Sequence, residues 1–451
     1  MTPPRKVRLC LALGGLFLVA APRTAEALPA FARQSGMECW ACHVGSFGPQ
    51  LTPIGRMFKL NGYQLGALSP LQKIKNAFAG LLQGGFVHTQ KDQPAGATPY
   101  NANDNLAVEQ ASLFFAGHMT RHFGVFSQAT YDGVSDRLGW DNVDMRYTRT
   151  LRRAAGPLLL GADVNNAPSV QDEWQTTPVW RFPFLSSGLM PAPAAAPFID
   201  GLAHRTAGAG AYGMWNDMFY LGLFGYAQLP DAVARDVGVE DVSTADHLDG
   251  VAPYWRAVMH FPDASGLRYF SLGTYGMAEK RYPGNVRAAG TDSLLDAAVD
   301  ATFQVITPDD THDVSLYASY LHESQHLGAS VALGKATNAH DGLDSFAASA
   351  SYYYEHKYGL TVSRFDITGS NDAKLYAVNT SRTPDSAGWT FQADYTPWGH
   401  TDSPYFPFLN ARFFVQYTLY NKFDGSRTNY DGTGRNAADN NTLYTGVWFE
   451  F

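Results

Sequence analysis

Cysteine is almost absent from this chain: three among 451 residues, at positions 10, 39 and 42. That scarcity argues against a disulfide framework, the usual use of cysteine in exported proteins. It also argues against a closed zinc site, because no second Cys pair or close His pair completes four ligands. Charge is sparse too, at 16% of residues, and the positive sign is the scarcer, with 33 Lys+Arg against 41 Asp+Glu and a net charge of −8. No basic patch or stripe runs through the sequence, which excludes a nucleic-acid partner. Beyond the N-terminus there is no apolar run long enough to span a bilayer as a helix, and no convincing long amphipathic helix. What is plentiful is Gly (43), Phe (28), Tyr (24) and Trp (9), a composition that suits β-structure.

Residues 1–27 have the form of a secretory signal peptide. Arg5, Lys6 and Arg8 are the basic start, Leu9 to Ala21 the apolar core, and Ala25-Glu26-Ala27 an A-x-A cleavage site. The competing reading is a membrane anchor, for which the apolar run is too short. Export through the Sec pathway is therefore expected, with a mature chain starting at Leu28. The leader carries four basic residues and one acidic one, so the mature chain is more acidic still. It keeps only Cys39 and Cys42.

Those two cysteines stand in Cys39-Trp40-Ala41-Cys42-His43. C-x-x-C-H is the spacing of c-type haem attachment: the thiols add to the haem vinyl groups and the imidazole reaches the iron. A thioredoxin-like redox pair is the alternative, but no βαβ pattern surrounds it. The sequence thus predicts one covalently bound haem c held by Cys39 and Cys42, with His43 as axial ligand. A short helix is predicted after the motif, capped by Thr52, begun by Pro53 and stopped by Asn61-Gly62. Ile54, Met57 and Phe58 share one face at helical spacing, expected to pack on the haem. The unit 28–72 is very small for covering a haem, so the rest of the chain must help. The sixth iron ligand is not readable. Met37 sits too close to the motif to fold back easily, and Met57 is a candidate that serves equally as core packing. His88, His118, His260 and His322 lie on predicted strands and read more simply as lumen or interface histidines.

From residue 73 to 451 the pattern is short and alternating. In one segment Val314, Leu316, Ala318 and Tyr320 oppose Ser315, Tyr317, Ser319 and Glu323; in another, Trp389, Phe391, Ala393 and Tyr395 oppose Thr390, Gln392, Asp394 and Thr396. Period two with an aromatic-rich apolar face and a polar face is the signature of a transmembrane β-barrel, although a soluble sandwich alternates similarly. Leu443, Thr445, Val447, Phe449 and Phe451 alternate to a terminal Phe that resembles the sorting signal of bacterial outer-membrane proteins. Sixteen strands are predicted near 77–90, 105–118, 123–132, 141–150, 157–165, 204–214, 217–228, 251–262, 267–279, 290–305, 312–323, 344–355, 358–367, 388–397, 409–420 and 441–451. The expected fold is all-β: a transmembrane barrel of about sixteen antiparallel strands, with the small helical haem unit plugging its lumen from the periplasmic side.

Long connections are expected outside and short turns on the periplasmic side. Residues 166–203 are rich in Pro and contain Trp174 and Trp180, which would shape the lumen, touch the haem, or stand in an aromatic girdle. Residues 229–250 carry Asp231, Asp236, Glu240, Asp241, Asp246 and Asp249 against only Arg235. They could gather ferrous ions electrostatically or simply form a solvated loop. Asp424-Gly425 and the run from Asp431 to Asn441 lack calcium-loop spacing, and turn chemistry accounts for them.

The blocks Leu28 to Gly36, the haem motif, Gly55 to Tyr63, Asn165 to Trp174, Thr176 to Trp180, Tyr320 to Glu323, Pro384 to Gly388, Asn429 to Gly432 and the run ending at Asn440-Asn441 together resemble the fused monohaem cytochrome c–porin family, outer-membrane iron oxidases of iron-oxidising bacteria. The resemblance implies an oxidoreductase that takes one electron from extracellular ferrous iron at the haem and passes it to a periplasmic carrier such as a soluble cytochrome. Two alternatives stay open: a diffusion porin or transporter with a structural or sensory haem, and a conduit for another extracellular donor.

Overall fold

The computed structural model describes residues 29–64, 76–94, 99–202, 204–239, 244–263 and 265–451. The predicted signal peptide lies outside them. Three short helices come first: α1 (Pro29–Ser35), α2 (Cys39–Cys42) and α3 (Pro53–Leu60). The strands follow: β1 (Phe78–Thr89), β2 (Asn105–His118), β3 (Phe123–Asp132), β4 (Arg137–Leu151), β5 (Leu158–Asn165), β6 (Thr206–Trp215), β7 (Phe219–Gln228), β8 (His247–Leu248), β9 (Val251–Pro262), β10 (Arg268–Tyr282), β11 (Asp292–Ile306), β12 (His312–His326), β13 (His340–Tyr354), β14 (Tyr358–Gly369), β15 (Ser386–Tyr395), β16 (Asn410–Lys422) and β17 (Thr442–Glu450).

Each strand pairs antiparallel with its neighbour in the sequence, except that β7 pairs with β9 and the two-residue β8 adds only to the end of β10. The sheet closes because β1 pairs with β2 on one side and with β17 on the other, Leu81 opposite Glu450 and Thr89 opposite Thr442. Closure leaves no open edge, which a lipid-exposed sheet cannot tolerate. The result is a transmembrane barrel of sixteen spanning strands, and each overlaps one of the sixteen predicted segments.

The pleat decides which side chains meet lipid. On β15, Trp389, Phe391 and Tyr395 are exposed on the outer wall, while Thr390, Gln392 and Asp394 are buried in the lumen. On β12 the polar Ser315 and Ser319 face inward and Leu316 and Tyr320 outward. β1 begins and β17 ends at the end of the barrel where most connections are short, and most of the long ones lie at the other.

One long connection departs from the expectation of an external loop. Between β5 and β6 the chain turns into the lumen, and Gln171, Asp172, Glu173 and Trp174 are fully buried. The cause is complementary charge. Arg146 on β4 meets Asp144 (2.9 Å), Asp163 (3.6 Å) and Glu173. Arg256 on β9 meets Asp300 (3.1 Å) and the Thr176 hydroxyl (3.1 Å). Wall arginines and inward carboxylates satisfy one another where neither could be buried alone.

Candidate haem site

The N-terminal unit lies inside the barrel toward the short-connection end. Pro53 and the Thr52 cap start α3 as its sequence dictates: the Thr52 hydroxyl accepts from the Gly55 amide at 3.2 Å and donates to the Ala41 carbonyl at 2.6 Å. One cap oxygen thus ties α3 to α2. Gly55 allows the close approach, because a Cβ there would stand 2.1 Å from the Cys42 carbonyl oxygen. The helix stops at Asn61, whose amide bonds the Met57 carbonyl at 2.9 Å, and at Gly62 with φ +69°.

The predicted apolar face of α3 needs correction. Its buried residues are Gly55, Arg56, Phe58 and Leu60, whereas Ile54 is 47% exposed. In a polar lumen the helix is gripped on several sides, so Arg56 is buried, donating to Gln304 Oε1 at 2.7 Å and to the Leu51 carbonyl at 2.9 Å. Met57 packs against the large aromatic cluster around Trp174 and Tyr212, which is the core-packing reading.

The unit is locked to the barrel by contacts distant in sequence. The Cys39 amide donates to the Gly399 carbonyl at 3.1 Å. Glu38 Oε1 accepts from the Thr401 amide at 2.5 Å. Asn410 and Arg412 on β16 donate to the carbonyls of Ser46, Phe47 and Gly48 at 2.7 to 3.2 Å. Trp40 stacks on His356, with ring centroids 4.7 Å apart.

Cys39, Cys42 and His43 line a cavity of about 460 Å³, within the range of about 300–1,000 Å³ usual for cofactor pockets. Its other walls come from all three parts of the chain: Phe31, Phe47, Phe58 and Tyr63 from the unit, Phe114, Phe126 and Trp448 from the barrel, and Val170, Trp180 and Phe184 from the inward loop. The expectation that the barrel must complete the cover of so small a unit agrees with this lining. Both cysteines are free thiols. Burial pushes the Cys42 thiol up to about 11 and raises that of Cys39, the latter with help from Glu450. Burial lowers His43 to about 4, partly opposed by the nearby Gln50 carbonyl. The imidazole is therefore neutral, the form that ligates iron, and its Nδ1 is buried without a hydrogen-bond partner. A pair of free thiols, a neutral histidine with an orphaned ring nitrogen, and an aromatic cavity in contact with all three fit a covalently attached haem.

The other predicted residues fall elsewhere. His88 and His322 stand on the outer wall, paired with Asp104 (2.6 Å) and Asp344 (2.8 Å). His118 and His260 are buried but do not line the cavity, and His260 packs edge-on to Trp174. Trp174 is inside the lumen, its indole donating to Tyr269 at 3.0 Å, so the girdle reading fails for it; Trp180 reaches the cavity. In the acidic connection, Asp231 pairs with His247 (3.1 Å), Asp246 with Arg281 (3.0 Å) and Asp249 with Tyr282 (2.8 Å). Glu240 and Asp241 lie outside the described residues. Asp431 accepts from the amides of Thr433 and Arg435, as turn residues do, whereas Asp424 accepts from the amide of Ala194, 230 residues away on the inward loop. Met37, set aside on the sequence, does line the cavity. Phe114, Phe126 and Trp448 carried no sequence signal, because only barrel closure brings them to the motif.

Fold and site together define a transmembrane β-barrel with a plugged lumen and a cavity at its C-x-x-C-H motif. No family model and no curated protein matches the chain. Among solved structures it is similar to the outer-membrane channel DcaP of Acinetobacter baumannii, at 13% identity and a TM-score of 0.46, covering 83% of this chain and 96% of that one. It is likewise similar to OmpF of Salmonella typhi in complex with daunomycin, at 14% identity and a TM-score of 0.46, covering 83% and 97%. A third is OccK2 of Pseudomonas aeruginosa, at 13% and 0.39, covering 84% and 98%.

Proposed function

We propose that the protein is an outer-membrane electron conduit that oxidises extracellular ferrous iron and delivers the electron to a periplasmic carrier. The observation that carries this reading is the cavity in which Cys39, Cys42 and His43 meet inside a closed barrel. Cys39 and Cys42 would hold the haem through thioethers and His43 would ligate its iron. When bound, the haem supplies a one-electron ferric/ferrous couple. The chain's own part is to exclude water with Phe31, Phe58, Phe114 and Phe126 and to keep His43 neutral. Arg412 and Asn410 fix the Ser46 to Gly48 backbone beside the histidine. Each ferrous ion outside gives up one electron and becomes ferric, and one oxidised carrier is reduced, so charge balances without iron crossing the membrane. In this reading the end where β1 begins and β17 finishes faces the periplasm, and the haem unit would stand within reach of the carrier. Ferrous iron as donor rests on the family resemblance.

The test is anaerobic addition of ferrous iron to the purified, haem-loaded protein in detergent. Reduction of a c-type absorption spectrum is expected, and a haem that stays ferric although its potential permits reduction overturns the reading. Replacing both Cys39 and Cys42 by Ala should remove the covalent haem. A second reading is a diffusion channel with a structural haem, favoured by the closed sixteen-strand architecture, which is wide enough for a pore. Single-channel conductance that survives the cysteine replacements, together with failure of ferrous reduction, would select it.

A further inference from the structure

We infer that Glu279, Asp296 and Glu323 form a binding site for one hard, oxygen-ligated divalent cation in the long-loop half of the lumen. They come from three successive strands, β10, β11 and β12, and all point inward. Asp296 and Glu323 are directly opposite in the ladder. Glu279 is opposite Leu294, one inward position from Asp296. Exposures are 3%, 0% and 1%. One carboxylate oxygen from each lies within 4.8 Å of the others, the one such acidic or mixed cluster among the described residues.

The hydrogen bonding leaves the inner oxygens free. The backbone amides of Ile199 and Phe198, at the end of the inward loop, donate to Asp296 Oδ2 (3.2 Å) and Glu323 Oε2 (2.5 Å), and Gln325 donates to Glu323 Oε1. Both oxygens of Glu279 and Oδ1 of Asp296 are buried with no hydrogen-bond partner. Neither neighbouring cation is seen in an ion pair with the three carboxylates: Arg281 pairs with Asp246 (3.0 Å) and Asp292 (3.8 Å) while its charge is felt at Glu279, and Arg181 donates to the Ser345 hydroxyl (3.0 Å) and keeps a buried Nη1 without a hydrogen-bond partner. Asp200 adds another buried, unpartnered carboxylate oxygen nearby. Like charges directly across a ladder repel, and buried ions need a counter-charge.

A cation supplies it. Oxygen ligands stand about 2.0–2.6 Å from such ions, so two on opposite sides are separated by roughly 4–5 Å. The observed spread already fits. The all-carboxylate donor set, without His or Cys, selects a hard ion such as Ca²⁺, Mn²⁺ or Fe²⁺ over a soft one. Bound there, the ion would clamp three wall strands to the loop that fills the lumen. The site is independent of the proposed haem chemistry.

The experiment is anaerobic calorimetric titration of the EDTA-stripped, haem-loaded mature protein, its haem reduced beforehand with dithionite so that Fe²⁺ has nothing to reduce, with Ca²⁺, with Mn²⁺ and with Fe²⁺, the three arms identifying the preferred ion. One equivalent of saturable binding by at least one ion is expected. Glu279→Gln and Asp296→Asn should each weaken it at least tenfold while far-UV circular dichroism stays that of the barrel. If a variant does not fold, the wild-type protein decides: its unfolding temperature should rise with the same ion and fall with EDTA. No saturable binding of any of the three ions, or binding that both folded variants retain, overturns the inference and leaves a proton-sharing carboxyl cluster.

Discussion

Arg146 concentrates much of the lumen's electrostatics on one guanidinium. It is fully buried among Asp144, Asp163 and Glu173 and also donates to the Gln171 carbonyl at 3.1 Å. Removing it leaves three carboxylates without their counter-charge, so Arg146→Ala should destabilise the protein by about 3–5 kcal/mol, read from urea unfolding in detergent. Glu38 gives a pH-dependent contact at the plug. Burial alone would raise its pKa, but hydrogen bonds from Thr401 and Trp40 outweigh it and hold the carboxyl below the usual 4.5. With the docked value depressed, the undocked state takes up the proton first. The contact is therefore fully present above about 4.5 and is lost as pH falls through and below it. Fluorescence of Trp40, stacked on His356, should report that loss on acidification, and Glu38→Gln should remove the acid transition. None of this was legible in the sequence, since Glu38 and Thr401, or Arg146 and Glu173, become partners only through the fold.

Among elements, α3 is the most local and the best foretold. Thr52, Pro53 and Asn61-Gly62 act at its ends as their chemistry requires, and Thr52→Ala should cost about 1 kcal/mol, more if the bond to the Ala41 carbonyl is counted, measurable by thermal unfolding. The strands were equally legible, because lipid on one side and a lumen on the other impose period two, cleanly on β12 and β15, although β7 turns Tyr220, Phe224 and Tyr226 inward and is apolar on both faces. What failed was whatever the lumen decides. Ile54 looked buried because helical spacing assumes one apolar partner surface, and the plug has several. The chain from 166 to 202 looked external because its length did, whereas its carboxylates find arginines on the wall. Gly45 marks a tight join between plug and wall: it adopts φ +69°, and a Cβ would stand 2.1 Å from the Tyr353 ring. Gly45→Ala should loosen the unit, seen as faster proteolysis within residues 29–64 while the barrel itself stays intact.

At the scale of the whole molecule, the lumen holds the plug and the inward loop together. Single-channel conductance of the intact protein in planar bilayers should accordingly fall well below that of an open sixteen-strand pore. A value equal to an open pore would mean that the plug leaves the lumen. The contacts that seat the plug also carry a consequence for biogenesis. Cys39 bonds Gly399, Glu38 bonds Thr401, and Ser46 bonds Asn410, so the first segment to emerge is secured by nearly the last. The cavity wall includes Trp448 and Glu450 on the closing strand. The seating of the N-terminal unit is therefore complete only once β16 and β17 are in place. A group joined to its two thiols before that point would be enclosed as the barrel closes, so for a haem-loaded protein covalent loading and the final zipping of the barrel would be coupled.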